Sequence, residues 1–320
     1  MSVPYFDAHC DTGTAALRTG EGLRSNRAHL DLTRLAAYSP AAQVFAVFSR
    51  PEGHDWQAGY EQDSAAPALA AHGAACLDAL LRELERNADI ASLCRSAQEA
   101  RQAAAQGRIA VFLAIEGAEL LGSSVEGLRA AHAKGVRLVN LTWNYRNPLC
   151  GTNQTGGGLT EAGRDFVRAA QALGVAVDVS HASDAGFWDC MELAGRPLLA
   201  GHSNARALCA HPRNLTDEMF SALVRSGGAA GLNLCPAFLG EKPDLDTCFA
   251  HVEHFLALGG EKTVCLGTDF DGVDDLPRGI AGVQDMGALR ECLLRHNLPE
   301  SLVRDIFYNN LLSYLERALN

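Results

Sequence analysis

The segment Ile109-Ala110-Val111-Phe112-Leu113-Ala114-Ile115 consists of seven consecutive apolar residues and is followed directly by an acid, Glu116. A strand with one face in water alternates apolar and polar residues, whereas a strand of a parallel sheet is covered on both faces and is apolar throughout. The segment therefore predicts a buried parallel strand, and Glu116 marks its carboxyl end.

Seven further short, mostly apolar runs predict strands at Tyr5–His9, Val44–Phe48, Arg137–Thr142, Val175–Ser180, Leu198–Gly201, Ala229–Leu234 and Val264–Thr268. Longer helical stretches lie between them, which is typical of βα units around a parallel sheet. Eight such units in 320 residues favour an α/β fold of the (β/α)8 TIM-barrel type, with residues 1–320 as one domain. A doubly wound open sheet is the second choice.

Four helices are predicted, the first from its content of Ala, Leu and Glu and the others from the residues at their ends. They run over Ala65–Asn87, from Ser96 to before Gly107, from Thr216 to before Gly227, and from Pro299 to about Ala318. Ser96 and Glu99 have the spacing of a capping box, and Thr216 precedes two acids that suit a first helical turn. The glycine-rich stretch Thr152–Gly158 predicts a mobile loop over the barrel mouth, which is the end where the strands finish.

Composition excludes several classes of partner. The chain has 38 acidic and 27 basic residues, a formal charge of -11, which is the wrong sign for binding nucleic acid. No apolar stretch approaches the roughly 20 residues of a membrane span, and neither end resembles a signal peptide or a lipid anchor. Ten scattered cysteines without a CxxC pair suggest buried free thiols. We therefore expect a cytoplasmic protein with no membrane partner.

In a barrel the carboxyl ends of all strands meet at one mouth, where active sites of this fold lie. Five predicted strands end in side chains that can bind metals: His9 and Asp11 after the first, Glu116 after the third, His181 after the fifth, His202 after the sixth and Asp269 after the eighth. Because alternate residues of an extended segment point the same way, His9 and Asp11 project together. The convergence predicts a metal site.

Imidazole nitrogen and carboxylate oxygen are ligands of catalytic zinc, which keeps one position open for water. His9 and Asp11 can serve one ion, His181 and His202 a second, and Glu116 can bridge both. A set rich in imidazole and free of thiolate suits zinc, with Mn, Co and Fe as alternatives.

Each of these residues alone also fits a structural role, such as a hydrogen-bonded histidine or a helix cap. Asp269 or Asp271 could form an Asx turn before Gly272. The remaining histidines are interpreted as surface or packing residues: His29, His54, His72, His132, His211, His251, His254 and His296. The chain has no GxSxG elbow, HExxH helix or Walker loop, which removes the serine hydrolase, thermolysin-like and phosphate-loop interpretations.

Six sequence blocks carry a family resemblance. They are YFDAHCD at 5–11, AIEG at 114–117, VDVSHAS at 177–183, GHSNA at 201–205, GTDFDGV at 267–273 and NNLL at 309–312. In this order they resemble the signature blocks of the membrane (renal) dipeptidase family, zinc peptidases of the barrel-fold amidohydrolase superfamily. The resemblance covers nearly the whole chain.

The resemblance implies an exopeptidase that hydrolyses the amide bond of dipeptides by attack of a hydroxide that bridges two zinc ions. It assigns His9 and Asp11 to one ion and His181 and His202 to the other. Glu116 bridges the ions, and Glu116 and Asp269 are the implied catalytic residues, Asp269 as acid and base. Arg213 matches the family arginine that contacts the dipeptide, and the family's tendency suggests a homodimer.

Two positions depart from the mammalian members. Trp143 follows Leu141-Thr142 where those enzymes have a histidine, and Cys235 occupies the place of a pocket tyrosine. Trp143-Asn144 is similar to bacterial members. Trp143, Asn144, Cys235 and Arg213 are therefore the predicted substrate-binding residues, with the substrate side chains and acceptance of a D-residue left open. The alternatives are a barrel amidohydrolase for another small amide or lactam, and a non-catalytic ligand-binding relative.

Overall fold

The computed structural model describes residues 3–49 and 66–320. In these ranges it has nine strands: β1 Tyr5–Cys10, β2 Ala41–Val47, β3 Ala91–Leu93, β4 Ile109–Glu116, β5 Val136–Asn140, β6 Ala176–Asp178, β7 Leu199–Ala200, β8 Ala229–Leu232 and β9 Val264–Leu266. All neighbouring strands are parallel, and eight of them close a ring, because β2 pairs with β4 and β1 pairs with β9. The predicted (β/α)8 barrel is confirmed.

β3 is the strand that the sequence did not indicate. Its three residues pair with Ile109–Val111 at the start of β4. β5 pairs with the same edge of β4, but nearer to its carboxyl end. A run of three residues, one of them serine, is too short for a periodic pattern. The eight predicted strands correspond to the eight members of the ring.

Apolar side chains fill the barrel and cover the end opposite the mouth. Phe6 and Phe112 come from β1 and β4, which β2 separates in the ring, yet their rings stack at 5.8 Å across the interior. Tyr308 packs on Phe6 at 5.8 Å from the side opposite the mouth, together with the final helix. Because the interior is apolar and the opposite end is covered, the mouth is the polar end of the barrel.

Thirteen helices are present in the described ranges: α1 Thr12–Thr19, α2 Leu32–Leu35, α3 Ala66–Arg86, α4 Ala97–Ala105, α5 Val125–Ala133, α6 Glu161–Ala172, α7 Asp184–Leu193, α8 Asp217–Ser226, α9 Pro236–Leu239, α10 Leu245–Ala257, α11 Met286–Arg295, α12 Glu300–Arg304 and α13 Asn310–Ala318. A π-helical turn, Asp305–Asn309, joins α12 to α13, so the last helix runs from Glu300 to Ala318, and Pro299, where the helix was predicted to begin, is its N-cap. Short 3-10 helices cover Ala118–Leu121 and Val283–Asp285.

The predicted helix ends are confirmed with one difference. Ser96 caps α4 and Thr216 caps α8, each accepting a hydrogen bond from the amide three residues on. The capping box at α4 is only half formed, because the Glu99 carboxylate accepts from the amide of Arg95 instead of Ser96. The predicted start of α3 at Ala65 lies outside the described residues, as does His54.

All ten cysteines are free thiols, and Cys76, Cys209 and Cys235 are the three that are only partly buried. Within the described part of the chain, no helix combines the length and the apolar character needed to cross a membrane. The single domain over residues 1–320, the mobility of the glycine-rich loop and the homodimer stay predictions.

Candidate metal centre

The barrel mouth gathers all six side chains that the strand ends predicted. His9 is the second-to-last residue of β1, and Glu116 is the last residue of β4. The other four lie in the segments that follow β1, β6, β7 and β9: Asp11, His181, His202 and Asp269. Each is at most 8% exposed, although all six carry a charge or an imidazole. Polar side chains of this kind are rarely buried unless they are paired or bind a metal.

A bulge in β1 directs His9 into the mouth. Asp7 pairs with Gln43 and Cys10 pairs with Phe45, so β1 has one more residue than β2 between these points. Phe6 and Ala8 belong to the inner cluster, and regular alternation would have turned His9 outward. The extra residue reverses the alternation, which is a known use of bulges beside active sites.

One carboxylate oxygen faces three imidazoles. Glu116 Oε1 lies 2.9 Å from His181 Nε2, 3.4 Å from His202 Nε2 and 3.7 Å from His9 Nε2. The His181 and His202 Nε2 atoms are themselves 2.9 Å apart. The three imidazole nitrogen atoms thus converge on one carboxylate oxygen, and the role of Glu116 as a bridging ligand stays a prediction.

A second group of ligand atoms lies on the other side of His9. Its Nε2 is 3.8 Å from Asp11 Oδ1 and 4.0 Å from Asp269 Oδ1. The two groups, His9 with Glu116 and His202, and His9 with Asp11 and Asp269, each keep their ligand atoms within 4.8 Å of one another. The distances exceed a hydrogen bond but suit atoms arranged around a cation.

Unpartnered polar atoms show that the residues fit a metal. Among the buried side-chain atoms of the described ranges, His9 Nε2 and Asp11 Oδ1 have no hydrogen-bond partner. Buried polar atoms almost always have one, and an exception calls for an explanation such as a bound ion. Both atoms face the centre of the cluster, and the donor set of imidazoles and carboxylates is one that zinc accepts.

The buried charges shift one another's pKa values. Burial opposes protonation of His9, but the Glu116 and Asp11 carboxylates outweigh it and raise its pKa to about 10. Burial works against ionisation of Glu116 as well, yet the surrounding histidines hold its pKa well below the usual range. The cluster therefore favours positive charge at its centre. A divalent cation would supply it and keep the imidazoles neutral as ligands.

His181 is held by Asn144 and by an unusual backbone. The Asn144 amide oxygen lies 2.8 Å from His181 Nδ1, so that Nδ1 donates and Nε2 keeps its lone pair for the centre. His181 has φ 73°, a left-handed conformation that a histidine adopts at a cost. The structure thus directs the side chain of Asn144 at a candidate ligand, and its predicted contact with substrate stays a prediction.

Asp269 is held in a defined orientation. Its Oδ2 accepts a hydrogen bond of 3.0 Å from Asn233 Nδ2, which leaves Oδ1 facing His9. Burial is the main cause that raises the pKa of Asp269 to about 6. Both carboxylates lie close to the backbone of Gly272. A Cβ at this position would collide with Asp269 Oδ1 and lie 2.6 Å from Asp11 Oδ2, so the position requires glycine.

Arg213 is a buried cation beside the cluster. The residue is 5% exposed, its Nε has no partner, and its Nη2 donates only a long bond of 3.5 Å to the carbonyl of His202. The guanidinium lies 5.3 Å from the ring centre of Phe238. No ion pair joins Arg213 to a carboxylate within residues 3–49 and 66–320. A buried arginine with unused donors is suited to bind an anion.

Nearly the whole chain matches one known protein family. The model of the membrane dipeptidase family (Peptidase family M19) matches residues 1–319. The chain belongs to the membrane dipeptidase family. It is similar to an "uncharacterized protein in pqqA 5'region" of Klebsiella pneumoniae, at 34% identity over 75% of this chain and 94% of that one.

Two solved structures of the family support a metallodipeptidase. The metallopeptidase named dipeptidase AC, of family M19, has a TM-score of 0.87 and 30% identity, covering 100% of this chain and 99% of its own. A metallopeptidase from Rhodobacter sphaeroides, liganded with a phosphinate mimic of the dipeptide L-Ala-D-Ala, has a TM-score of 0.85 and 29% identity, covering 99% and 100%.

This membrane dipeptidase relative has an aromatic wall at the mouth, formed by Phe48, Trp143 and Tyr145. The Trp143 ring lies 4.9 Å from Phe48, 5.4 Å from Tyr145 and 6.4 Å from His181. Of these three residues, the sequence analysis indicated only Trp143, through the family resemblance, and did not indicate Phe48 or Tyr145. Cys235 is partly buried, and burial raises the pKa of its thiol.

Sequence reasoning missed the residues that hold the ligands in place. Asp178 Oδ1 accepts from the amides of Ser180 and Gly201, and Ser180 Oγ accepts from the amide of His202. Asn233 was placed inside a strand, but β8 ends at Leu232. The strand-end rule that found the ligands would have found Asn233 with the correct boundary.

Proposed function

We propose that this membrane dipeptidase relative hydrolyses dipeptides with two zinc ions at the barrel mouth. The observation that carries the proposal is the convergence of three imidazole Nε2 atoms on Glu116 Oε1 beside unpartnered atoms of His9 and Asp11. In this proposal His9 and Asp11 would hold one ion, His181 and His202 would hold the other, and Glu116 would be a ligand of both. Zinc bound there supplies a Lewis acid for the scissile carbonyl and lowers the pKa of water toward 7.

Asp269 is the proposed proton carrier. Its Oδ2 is engaged by Asn233, so Oδ1 is the atom that takes the proton of the attacking water and returns it to the leaving amine. Its buried position and its contact with Asn233 fix the direction of that oxygen before substrate arrives. A carboxylate in this arrangement serves as base in the first step and as acid in the second.

Arg213 is the proposed receptor for the free carboxylate of the dipeptide. A planar guanidinium can donate two parallel hydrogen bonds to a carboxylate, and burial strengthens them. A longer peptide has an amide in place of that carboxylate, so the pairing selects for substrates of two residues. Trp143 would line the substrate pocket beside His181 with an apolar face.

A D-residue at the carboxyl-terminal position is part of the proposal. The support is the related Rhodobacter sphaeroides metallopeptidase, which carries a mimic of L-Ala-D-Ala. The test is hydrolysis of a matched set of L-Xaa-L-Xaa and L-Xaa-D-Xaa dipeptides by the zinc-loaded protein, with amine release as the readout. Turnover of members of this set supports the proposal. Turnover only of lactams or other small amides would contradict it.

A further inference from the structure

A second group of metal-type side chains lies on the outside of the barrel, between α10 and α11. Asp246 is in the first turn of α10, Cys292 is in the second half of α11, and His296 directly follows the last residue of α11. In the described ranges three such groups occur; two share His9 at the mouth, and this is the third. It contains a thiol, which the mouth groups lack.

The three donor atoms already lie close to the spacing of a tetrahedral site. Asp246 Oδ1 is 3.3 Å from Cys292 Sγ and 2.9 Å from His296 Nε2, and all three atoms lie within 4.8 Å of one another. Zinc bond lengths of about 2.0–2.3 Å place neighbouring ligand atoms roughly 3.3–3.6 Å apart. Small side-chain rotations therefore suffice to seat an ion between them.

The helix geometry and a stacked ring hold the histidine in place. Cys292 and His296 are four residues apart, which puts them on one face of α11. The His296 imidazole stacks on Phe249 of α10, with ring centres 3.8 Å apart and planes within 7°. A stacked ring has few alternative orientations, so its Nε2 stays directed at Asp246.

The group is accessible to an ion from solvent. The Asp246 side chain is 64% exposed and that of His296 is 37% exposed, whereas Cys292 lies beneath them at 1%. An ion bound there would contact the buried sulfur of Cys292, and its fourth coordination position would be open to water. Thiolate, imidazole and carboxylate together are a zinc donor set.

The positively charged side chain of Arg295 lies near the carboxylate to which a metal ion would bind. Arg295 Nη2 lies 3.7 Å from Asp246 Oδ1, and its side chain is 67% exposed. An exposed ion pair of this kind contributes little, so the arginine can turn away into solvent at small cost. Its presence indicates that the group favours positive charge, and it also competes with a metal ion.

We propose that Asp246, Cys292 and His296 form a zinc site that joins α10 to α11, separate from the metal centre at the mouth. Binding breaks the Cys292 S–H bond and forms a sulfur–zinc bond, and the released proton goes to solvent. The assignment replaces the interpretation of His296 as a surface residue. It does not depend on the reaction at the mouth.

Cobalt is the probe that separates the two sites. Co²⁺ replaces zinc in such sites, and thiolate bound to Co²⁺ gives a charge-transfer absorption in the near ultraviolet that imidazole and carboxylate do not give. The full-length chain is freed of metal by chelation and titrated with Co²⁺ alone. We expect the band to appear in the wild type. A wild type saturated with Co²⁺ and lacking the band would overturn the proposal.

Variants locate the site and control for folding. Cys292→Ser should abolish the band, and His296→Ala, at an exposed position, should weaken cobalt and zinc binding there by at least about 10–100-fold, the loss typical for a mere partner of a ligand. His254→Ala is the matched control, since His254 Nε2 lies 2.8 Å from Asp217 Oδ1 but belongs to no metal-type group in the described ranges. A band that persists in Cys292→Ser, or that His254→Ala removes equally, would contradict the assignment.

Arg295→Gln should change zinc affinity in the opposite direction to the ligand variants. If the arginine competes with the ion, its removal should tighten zinc binding several-fold, while the ligand variants weaken it. A hydrogen-bonded surface cluster without a metal would show no zinc-dependent change in any of these variants. Hydrolysis at the mouth should be unaffected by Cys292→Ser, so failure of this proposal is distinct from failure of the proposed dipeptidase activity.

Discussion

Replacement of Arg213 by methionine tests how the mouth would recognise a dipeptide. Methionine keeps the length and apolar contacts of the side chain but removes every donor. In the present structure the guanidinium has an unpartnered Nε and one long bond to a carbonyl, so little is lost from the protein itself. We therefore expect the variant to fold and to retain metal.

The size of the effect follows from the hydrogen bonds that the guanidinium can offer. Two charge-assisted bonds contribute roughly 1.5–3 kcal/mol each, so their loss costs at least about 3 kcal/mol. Since 1.4 kcal/mol corresponds to a factor of ten, kcat/KM should fall by about 150-fold for a dipeptide with a free carboxylate. A substrate whose carboxylate is amidated should lose far less.

The assay compares four rates: wild type and Arg213→Met, each with the free and the amidated form of one dipeptide. The wild type should prefer the free carboxylate by about 150-fold, and the variant should lose that preference. Arg206→Met is the matched control, because Arg206 already pairs with both oxygens of Asp184 at 2.7 and 2.8 Å. Equal loss on both substrates at full metal content would refute the carboxylate receptor.

Three further changes test other parts of the account. Asp269→Asn should leave the metal content unchanged and lower kcat by about 10²–10⁴; a variant with full metal and wild-type turnover would remove Asp269 from proton transfer. Asn144→Ala should weaken metal binding by about 10–100-fold through loss of the bond to His181, measured by competition with a chelator, and unchanged affinity would argue against this positioning role. Burial is the main cause that raises the pKa of Glu119 to about 7, and its carboxylate accepts a hydrogen bond from Asn147. Because the folded pKa lies above the unfolded value, the Glu119 carboxyl alone should lower the stability of metal-free wild type by about 3 kcal/mol between pH 4.5 and 7. Glu119→Gln lacks this ionising carboxyl. Urea unfolding should therefore find the variant more stable than wild type at pH 8 and similar to wild type at pH 4.5.

The fold could be predicted because parallel strands leave a clear pattern in the sequence. Ile109–Ile115 is apolar at every position, and the structure buries all of it in β4. β3 escaped prediction because Ala91–Leu93 is held by pairing with β4, and such pairing leaves no local signal in three residues. Tertiary contacts, and not propensity, decide elements of that length.

The ligand-type residues of the mouth could be predicted because each follows a strand and carries a chemically distinctive side chain. The orientation of these side chains could not be predicted from the sequence. His9 faces the mouth only because the bulge between Asp7 and Cys10 adds a residue, and a bulge is a property of pairing between strands. The sequence indicated Asn144 only as a substrate contact, and its hydrogen bond to His181, like that of Asn233 to Asp269, is visible only in the side-chain distances.

The most direct test of the central claim is a titration of activity against bound zinc. Metal-free Cys292→Ser is reconstituted stepwise, so that the mouth is the site being filled, and dipeptide hydrolysis is measured against zinc content by elemental analysis. The account predicts no turnover without metal and full activity at two zinc ions per chain. Dipeptide hydrolysis by the metal-free protein, or none at two bound ions, would contradict it.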